Sequence, residues 1–140
     1  MSLEFVDTNV LLYAYDATAG DRHHRARTLV ARLCRSRNGV LSVQVLQEFY
    51  VNAVRKIPVP LSPAVARERV RTLGSWPTHA PTAQDVLTAI DIAEQERNSF
   101  WDAMIIRSAS AFGCTALWTE DLNAGQLISV VRIENPFNGL

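Results

Sequence analysis

The stretch Leu3-Glu4-Phe5-Val6-Asp7-Thr8-Asn9-Val10-Leu11-Leu12-Tyr13 reads as a short buried strand that runs directly into a helix, with Asp7 at the junction. An aspartate in front of a helix accepts backbone N–H bonds and complements the positive end of the dipole. In open α/β sheets the same place has a second use, because ligands gather just outside the carboxyl ends of the strands. Asp7 is therefore a candidate both for capping and for chemistry.

Outward from this junction the chain keeps alternating. Asp21 to Ser36 is predicted as a helix, with Ala26, Leu29, Val30 and Leu33 on one side and Arg25, Arg32 and Arg35 opposite. Val40 to Val43 reads as a second buried strand, followed by a helix whose apolar side holds Val45, Leu46, Phe49, Tyr50 and Ala53. Ser62-Pro63 starts a further helix as N-cap and first-turn proline, and Gly74 ends it. A weak edge strand is expected between Ser75 and Pro81. Helices follow over Thr82 to Arg97, with Val86, Ala89, Ile90 and Ala93 in register, and over Phe100 to Phe112. Thr115 to Thr119 and Ser129 to Ile133 are the last two strands. Alternation of this kind favours a mostly parallel sheet covered on both faces.

At 140 residues and 48% hydrophobic the chain is expected to form one domain, residues 1–140, with its own core. Fourteen basic residues cancel fourteen acidic ones, so bulk charge neither favours nor excludes a nucleic-acid partner. The distribution is uneven: eleven basic and six acidic residues precede Thr72, against three and eight from there on. Thirteen of the basic residues are arginine, suited to forked contacts with phosphate, and Lys56 is the single lysine. Cys34 and Cys114 are too few and too far apart for a zinc motif or a disulfide framework. No apolar run approaches a membrane span and no leader is evident, so a reduced cytoplasm is the expected location.

Four acids stand where an α/β sheet brings remote segments to one rim: Asp7, Glu48, Asp102 and Asp121. Each has a plainer reading. Glu48 shares a polar helix stripe with Gln44, Asn52 and Arg55 that could face water. Asp102 follows Ser99 by three residues, as in a capping box, and Asp121 sits in a turn. Their combination argues for more, since crowded carboxylates repel and are costly to desolvate unless a proton or a cation neutralises them. Mg²⁺ or Mn²⁺ suits an all-oxygen donor set, whereas zinc would call for His23, His24, His79 or a cysteine, none of which is near the acids in the predicted layout.

Phe5-Val6-Asp7-Thr8-Asn9-Val10-Leu11, Ser42-Val43-Gln44-Val45-Leu46-Gln47-Glu48-Phe49, Phe100-Trp101-Asp102-Ala103 and Thr119-Glu120-Asp121-Leu122 resemble, in order and spacing, the PIN-domain nucleases, above all the VapC ribonuclease toxins of toxin–antitoxin pairs. The resemblance spans the chain through Arg132-Ile133-Glu134-Asn135-Pro136-Phe137. It implies a three-layer α/β/α domain with a central, mostly parallel sheet, and a Mg²⁺- or Mn²⁺-dependent endoribonuclease that hydrolyses RNA with a metal-activated water. Asp7 and Asp102 match the family's core metal ligands, Glu48 and Asp121 its remaining acids, and Thr8, Asn9 and Thr119 the polar residues lining the pocket. Asn123 stands where some relatives carry a further acid, which bears on a second metal, and Glu120 adjoins Asp121 as a rival inner acid. A VapB-type antitoxin and homodimerisation are implied as well, with apolar residues on the helices from Val43 to Arg55 and Ser62 to Leu73 as candidate contacts.

Arginines between Arg22 and Arg37 are expected to rim the groove, and Trp101 to sit in the core or stack on a base. Two further readings compete. A phosphoacceptor receiver needs an acid pair after the first strand and a late lysine, and a haloacid-dehalogenase-type phosphatase needs an aspartate at position 9, where Asn9 stands. A non-catalytic PIN relative that binds RNA or protein would be favoured by the loss of an acid, and none of the four is lost.

Overall fold

The computed structural model describes residues 2–140. Its centre is one six-stranded sheet in the order β3-β2-β1-β4-β6-β5. The strands are β1 (Glu4–Val6), β2 (Gly39–Ser42), β3 (Thr78–His79), β4 (Ala116–Trp118), β5 (Leu127–Ile128) and β6 (Val131–Glu134). All neighbouring pairs are parallel except β5 with β6. The inner strands carry Phe5, Val6, Val40, Leu41, Leu117 and Ile133, all fully buried, which is why they read as continuous apolar runs.

Six α-helices cover the sheet: α1 (Thr8–Tyr15), α2 (Asp21–Ser36), α3 (Val43–Arg55), α4 (Pro63–Leu73), α5 (Ala83–Glu96) and α6 (Phe100–Ala111), with a short 3-10 turn at Ala17–Ala19. From β1 the chain steps to β2 and β3 on one side, then crosses back to β4 on the other. Right-handed crossovers therefore set α1 to α4 on one face and α5 and α6 on the opposite one. The packing agrees: α1 touches α2 and α3, α3 touches α4, and α5 packs on α6. The reversal of direction between β1 and β4 is the topological switch point, where open α/β sheets bind ligands.

Local signals account for most boundaries. Ser42, Ser62, Thr82 and Ser99 cap α3, α4, α5 and α6 through their hydroxyls, and Pro63 takes the first turn of α4. At Gly39 a Cβ would lie 2.4 Å from the Trp76 ring, so that ring can close over the start of β2 only because the residue is glycine.

Two expectations are corrected. Ser129 to Ile133 is not one strand but the end of a β-hairpin, whose turn residues Ser129 and Val130 have φ of 50° and 61°. Two consecutive left-handed residues make the tight turn whose twist matches paired strands. The buried face of α5 is also rotated from the predicted stripe. Asp85, Ala89 and Ile92 are buried, whereas Val86, Leu87 and Ile90 are exposed. The cause is polar: Asp85 is drawn inward, its Oδ1 accepting from Arg107 Nε at 2.8 Å and its Oδ2 lying 3.3 Å from His79 Nε2.

Candidate functional site

The site grows out of three strand ends. β1 delivers Asp7, β4 delivers Thr119 and the turn to Asp121, and β2 leads into α3, which carries Glu48 one and a half turns along. α6 crosses from the opposite face and contributes Asp102 in its first turn. All four acids line one cavity of ≈ 200 Å³, together with Thr8, Asn9, Gln44, Asn52 and Trp101.

A chain of hydrogen bonds links them. Thr8 N donates to Asp7 Oδ1 at 2.7 Å, and Thr119 Oγ1 donates to Asp7 Oδ2 at 2.8 Å. The same Thr119 oxygen accepts from Asp121 N at 3.1 Å, so one wholly buried hydroxyl joins two of the acids. Thr8 Oγ1 donates to Glu48 Oε1 at 2.8 Å. Gln44 Nε2 lies 3.5 Å from Glu48 Oε2 and donates to the Trp101 carbonyl at 3.3 Å, which ties α3 to the start of α6.

The plainer readings of these acids turn out to be compatible with the pocket. Asp7 is the N-cap of α1 and still lines the cavity. At α6 the capping box is only half made: Ser99 Oγ accepts from Asp102 N at 3.1 Å, with no return bond from the Asp102 carboxylate. At α5 the box is complete, and Asp85 is fully used by Thr82 and Arg107. Asp102 is thus released into the cavity where Asp85 is not. Glu120 points away, accepting from Arg22 Nε at 2.7 Å and from Tyr13 Oη at 3.1 Å, which leaves Asp121 as the acid of this turn in the pocket.

Electrostatics mark the cluster as short of positive charge. Burial pushes the Asp7 carboxyl up to about 7; the bonds from Thr119 and Thr8 oppose the rise, and the charges of Asp121 and Glu48 add to it. Asp121 is also raised, first by desolvation and then by repulsion from Asp102. Asn9 lies beside Asp121 near enough to favour its charged form, yet both side-chain amide atoms are buried without a completed hydrogen bond. Among the described residues no cation lines this cavity.

A donor set of carboxylates, hydroxyls and one unpartnered amide, without imidazole or thiol, fits a hard divalent cation. Among the described residues no three acid, imidazole or thiol groups converge closely enough to enclose one. An ion held here would keep part of its water shell, as Mg²⁺ commonly does.

Two expected features differ. The arginines of α2 do not rim the pocket: Arg22 is paired with Glu120, Arg25 donates to the Asn138 carbonyl at 2.6 Å, and Arg32 grips Glu4 with two bonds of 3.0 Å. Arg32 is held at the amino end of β1, away from Asp7. Trp101 is 63% exposed at the cavity rim rather than in the core. Gln44 and Asn52 join the lining unpredicted, although their four-residue spacing about Glu48 was the signal.

The sequence profile described as PIN domain matches residues 5–127. No curated protein sequence matches the chain. Among solved structures, one described as a toxin–antitoxin complex from Klebsiella pneumoniae superposes with a TM-score of 0.68 at 19% identity, covering 97% of this chain and 98% of that one. VapBC2 from Rickettsia felis, bound to a DNA fragment from its promoter, gives 0.63 at 16% identity, covering 95% and 98%. VapC20 of Mycobacterium tuberculosis, described as a toxin that cleaves the sarcin–ricin loop, gives 0.64 at 25% identity, covering 84% and 91%.

Proposed function

Because the chain belongs to the PIN-domain family, we propose that it is a divalent-metal-dependent endoribonuclease and the toxin of a VapBC-type pair. The observation that carries this reading is the meeting of four acids from four separate segments in one cavity, where burial first, and then the charges of Asp121 and Glu48, push Asp7 up to about 7. The likeness to structures described as toxins supports it.

Asp7 and Asp102 would hold Mg²⁺ or Mn²⁺, with Glu48 and Asp121 directly or through water. When bound, such an ion supplies a water of lowered pKa and a Lewis acid for a phosphoryl oxygen. Thr8 and Thr119 fix the rotamers of Glu48 and Asp7, so those carboxylates need little reordering. Glu48 is engaged by Thr8 and Gln44, whereas Asp121 is exposed and has a raised pKa, which suits it better to take up the proton of an attacking water. Trp101, standing at the rim, is available to stack on a base.

A cognate VapB-type antitoxin and a second copy of the chain are the proposed partners. Val43, Tyr50 and Val51 on α3 and Val65 on α4 are exposed and supply apolar contact surface for them. Among the described residues no helix is long and apolar enough to cross a membrane.

The reading is tested by incubating the purified chain with total RNA, with Mg²⁺ or Mn²⁺ and with EDTA, and mapping new ends. Cleavage should require the metal and fall at least about 100-fold in Asp7→Asn and in Asp102→Asn, with circular dichroism unchanged. Cleavage that survives chelation would refute it. A non-catalytic RNA-binding role is favoured by one observation, that no three ligating groups enclose an ion as they stand; binding without cleavage in the same assay would select it.

A further inference from the structure

The cleft continues past the carboxylates. A second cavity of ≈ 320 Å³ adjoins the first and shares Asn9, Leu12 and Asn52 with it. Its far wall is formed by Tyr13, Ile57 and Lys56. Gln44, Glu48, Asn52 and Lys56 follow one another at four-residue spacing along α3 and its C-cap, so a single helix stripe borders both cavities.

Three observations set this second cavity apart from ordinary surface. Lys56 is the only cation lining either cavity, and it takes part in none of the ion pairs among the described residues. The Asn9 amide, at the boundary of the two cavities, is buried; from close by it favours the charged form of Asp121, while its carbonyl oxygen has no donor, a state native proteins rarely leave without a partner. Arg22, Arg32 and Arg25 of α2 are committed to Glu120, Glu4 and main-chain carbonyls, and among the described residues no arginine lines either cavity. Asp16 also lines this space, but its Oδ1 is taken by Thr18 N at 3.0 Å and Thr18 Oγ1 at 2.6 Å.

We propose that Lys56, with the amides of Asn52 and Asn9, forms a subsite for the nucleotide that flanks the one cut, Lys56 holding its phosphate. This rests on the endoribonuclease reading. A pocket of four carboxylates repels every phosphate but the one an ion holds, so a strand crossing it needs a positive anchor next door. An ammonium serves as a point charge for phosphate, and an amide can both donate to a phosphate or sugar oxygen and accept from a 2′-hydroxyl. Leu12 and Ile57 give the sugar and base an apolar wall.

The test is binding of a fluorescein-labelled, mixed-sequence single-stranded RNA to the Asp7→Asn protein, by anisotropy over a range of salt, alongside cleavage of total RNA by the wild type. Adding Lys56→Ala should weaken binding about five- to tenfold and reduce the slope of log affinity against log salt by about 0.7. Lys56→Arg should restore both. Mn²⁺ affinity of the Lys56→Ala single variant, measured by calorimetry without RNA, should stay at the wild-type value, which a general structural defect would not allow. Unchanged affinity and salt slope in Lys56→Ala overturn the subsite, even if the wild type cleaves RNA. Lys56-dependent binding without any cleavage would uphold the subsite and sink the nuclease reading instead.

Discussion

Thr119 is a single hydroxyl that sets two carboxylates at once, donating to Asp7 and receiving the amide of Asp121. It is buried, as is Asp7, so the charge of Asp7 is held by two hydrogen bonds where water would have offered more. Because the folded-state pKa of Asp7 is raised to about 7, the folded protein retains a proton there that the unfolded chain gives up near pH 4. Stability from this group therefore falls as pH rises between those values and stays reduced above them. In EDTA at pH 8, Asp7→Asn should accordingly be more stable than wild type, by at most about 4 kcal/mol, and the difference should vanish near pH 4. Urea titrations at the two pH values check this. A variant less stable than wild type at pH 8 would mean that burial does not disfavour the charge of Asp7.

At the scale of elements, the turn between β5 and β6 is built from residues poorly suited to it. Val130 is β-branched, 81% exposed, and has φ of 61°. Its side chain gains little from packing and bears the strain of the left-handed region. Val130→Gly should stabilise the protein by roughly 0.5–1 kcal/mol, read as a higher urea midpoint with an unchanged slope. An unchanged or lower midpoint would mean that the strain is offset elsewhere. The same turn shows why the sequence suggests a strand from Ser129 to Ile133, through the turn itself, and gives no sign of β5. Leu127 to Ile133 is mostly apolar and carries none of the glycine or asparagine that normally signals a hairpin. The rotation of α5 has a comparable origin, since periodicity counts apolar residues and Asp85 is held inward by His79 and Arg107.

For the whole molecule, the cavity couples segments distant in sequence, so occupancy of the site should be felt by the fold. A divalent ion that binds only the folded state stabilises it by about 2.7 kcal/mol at a hundred times its dissociation constant. Mn²⁺ should therefore raise the melting temperature of the wild type by several degrees and that of Asp102→Asn much less. Equal shifts in the two proteins would remove Asp102 from the ligand set. Because Asp7 must lose its proton to bind a cation, the shift should grow as pH rises through about 7.

The sequence by itself determined the six helices, the parallel core strands and the caps at Ser62 and Ser99, because these rest on local periodicity and on side-chain bonds three residues long. It also marked Asp7, Glu48, Asp102 and Asp121 as candidates, since strand ends and helix starts are local features. Only the tertiary structure decided which competing use each polar group found. It turned Glu120 to Arg22, completed the box at Asp85 but not at Asp102, and spent Arg22, Arg25 and Arg32 on remote partners. It also left the Asn9 carbonyl without a donor and Lys56 outside the ion pairs among the described residues, beside one continuous cleft. Partnership of that kind depends on through-space distances between residues remote in sequence, 112 positions apart at Thr119 and Asp7, and no local pattern encodes it.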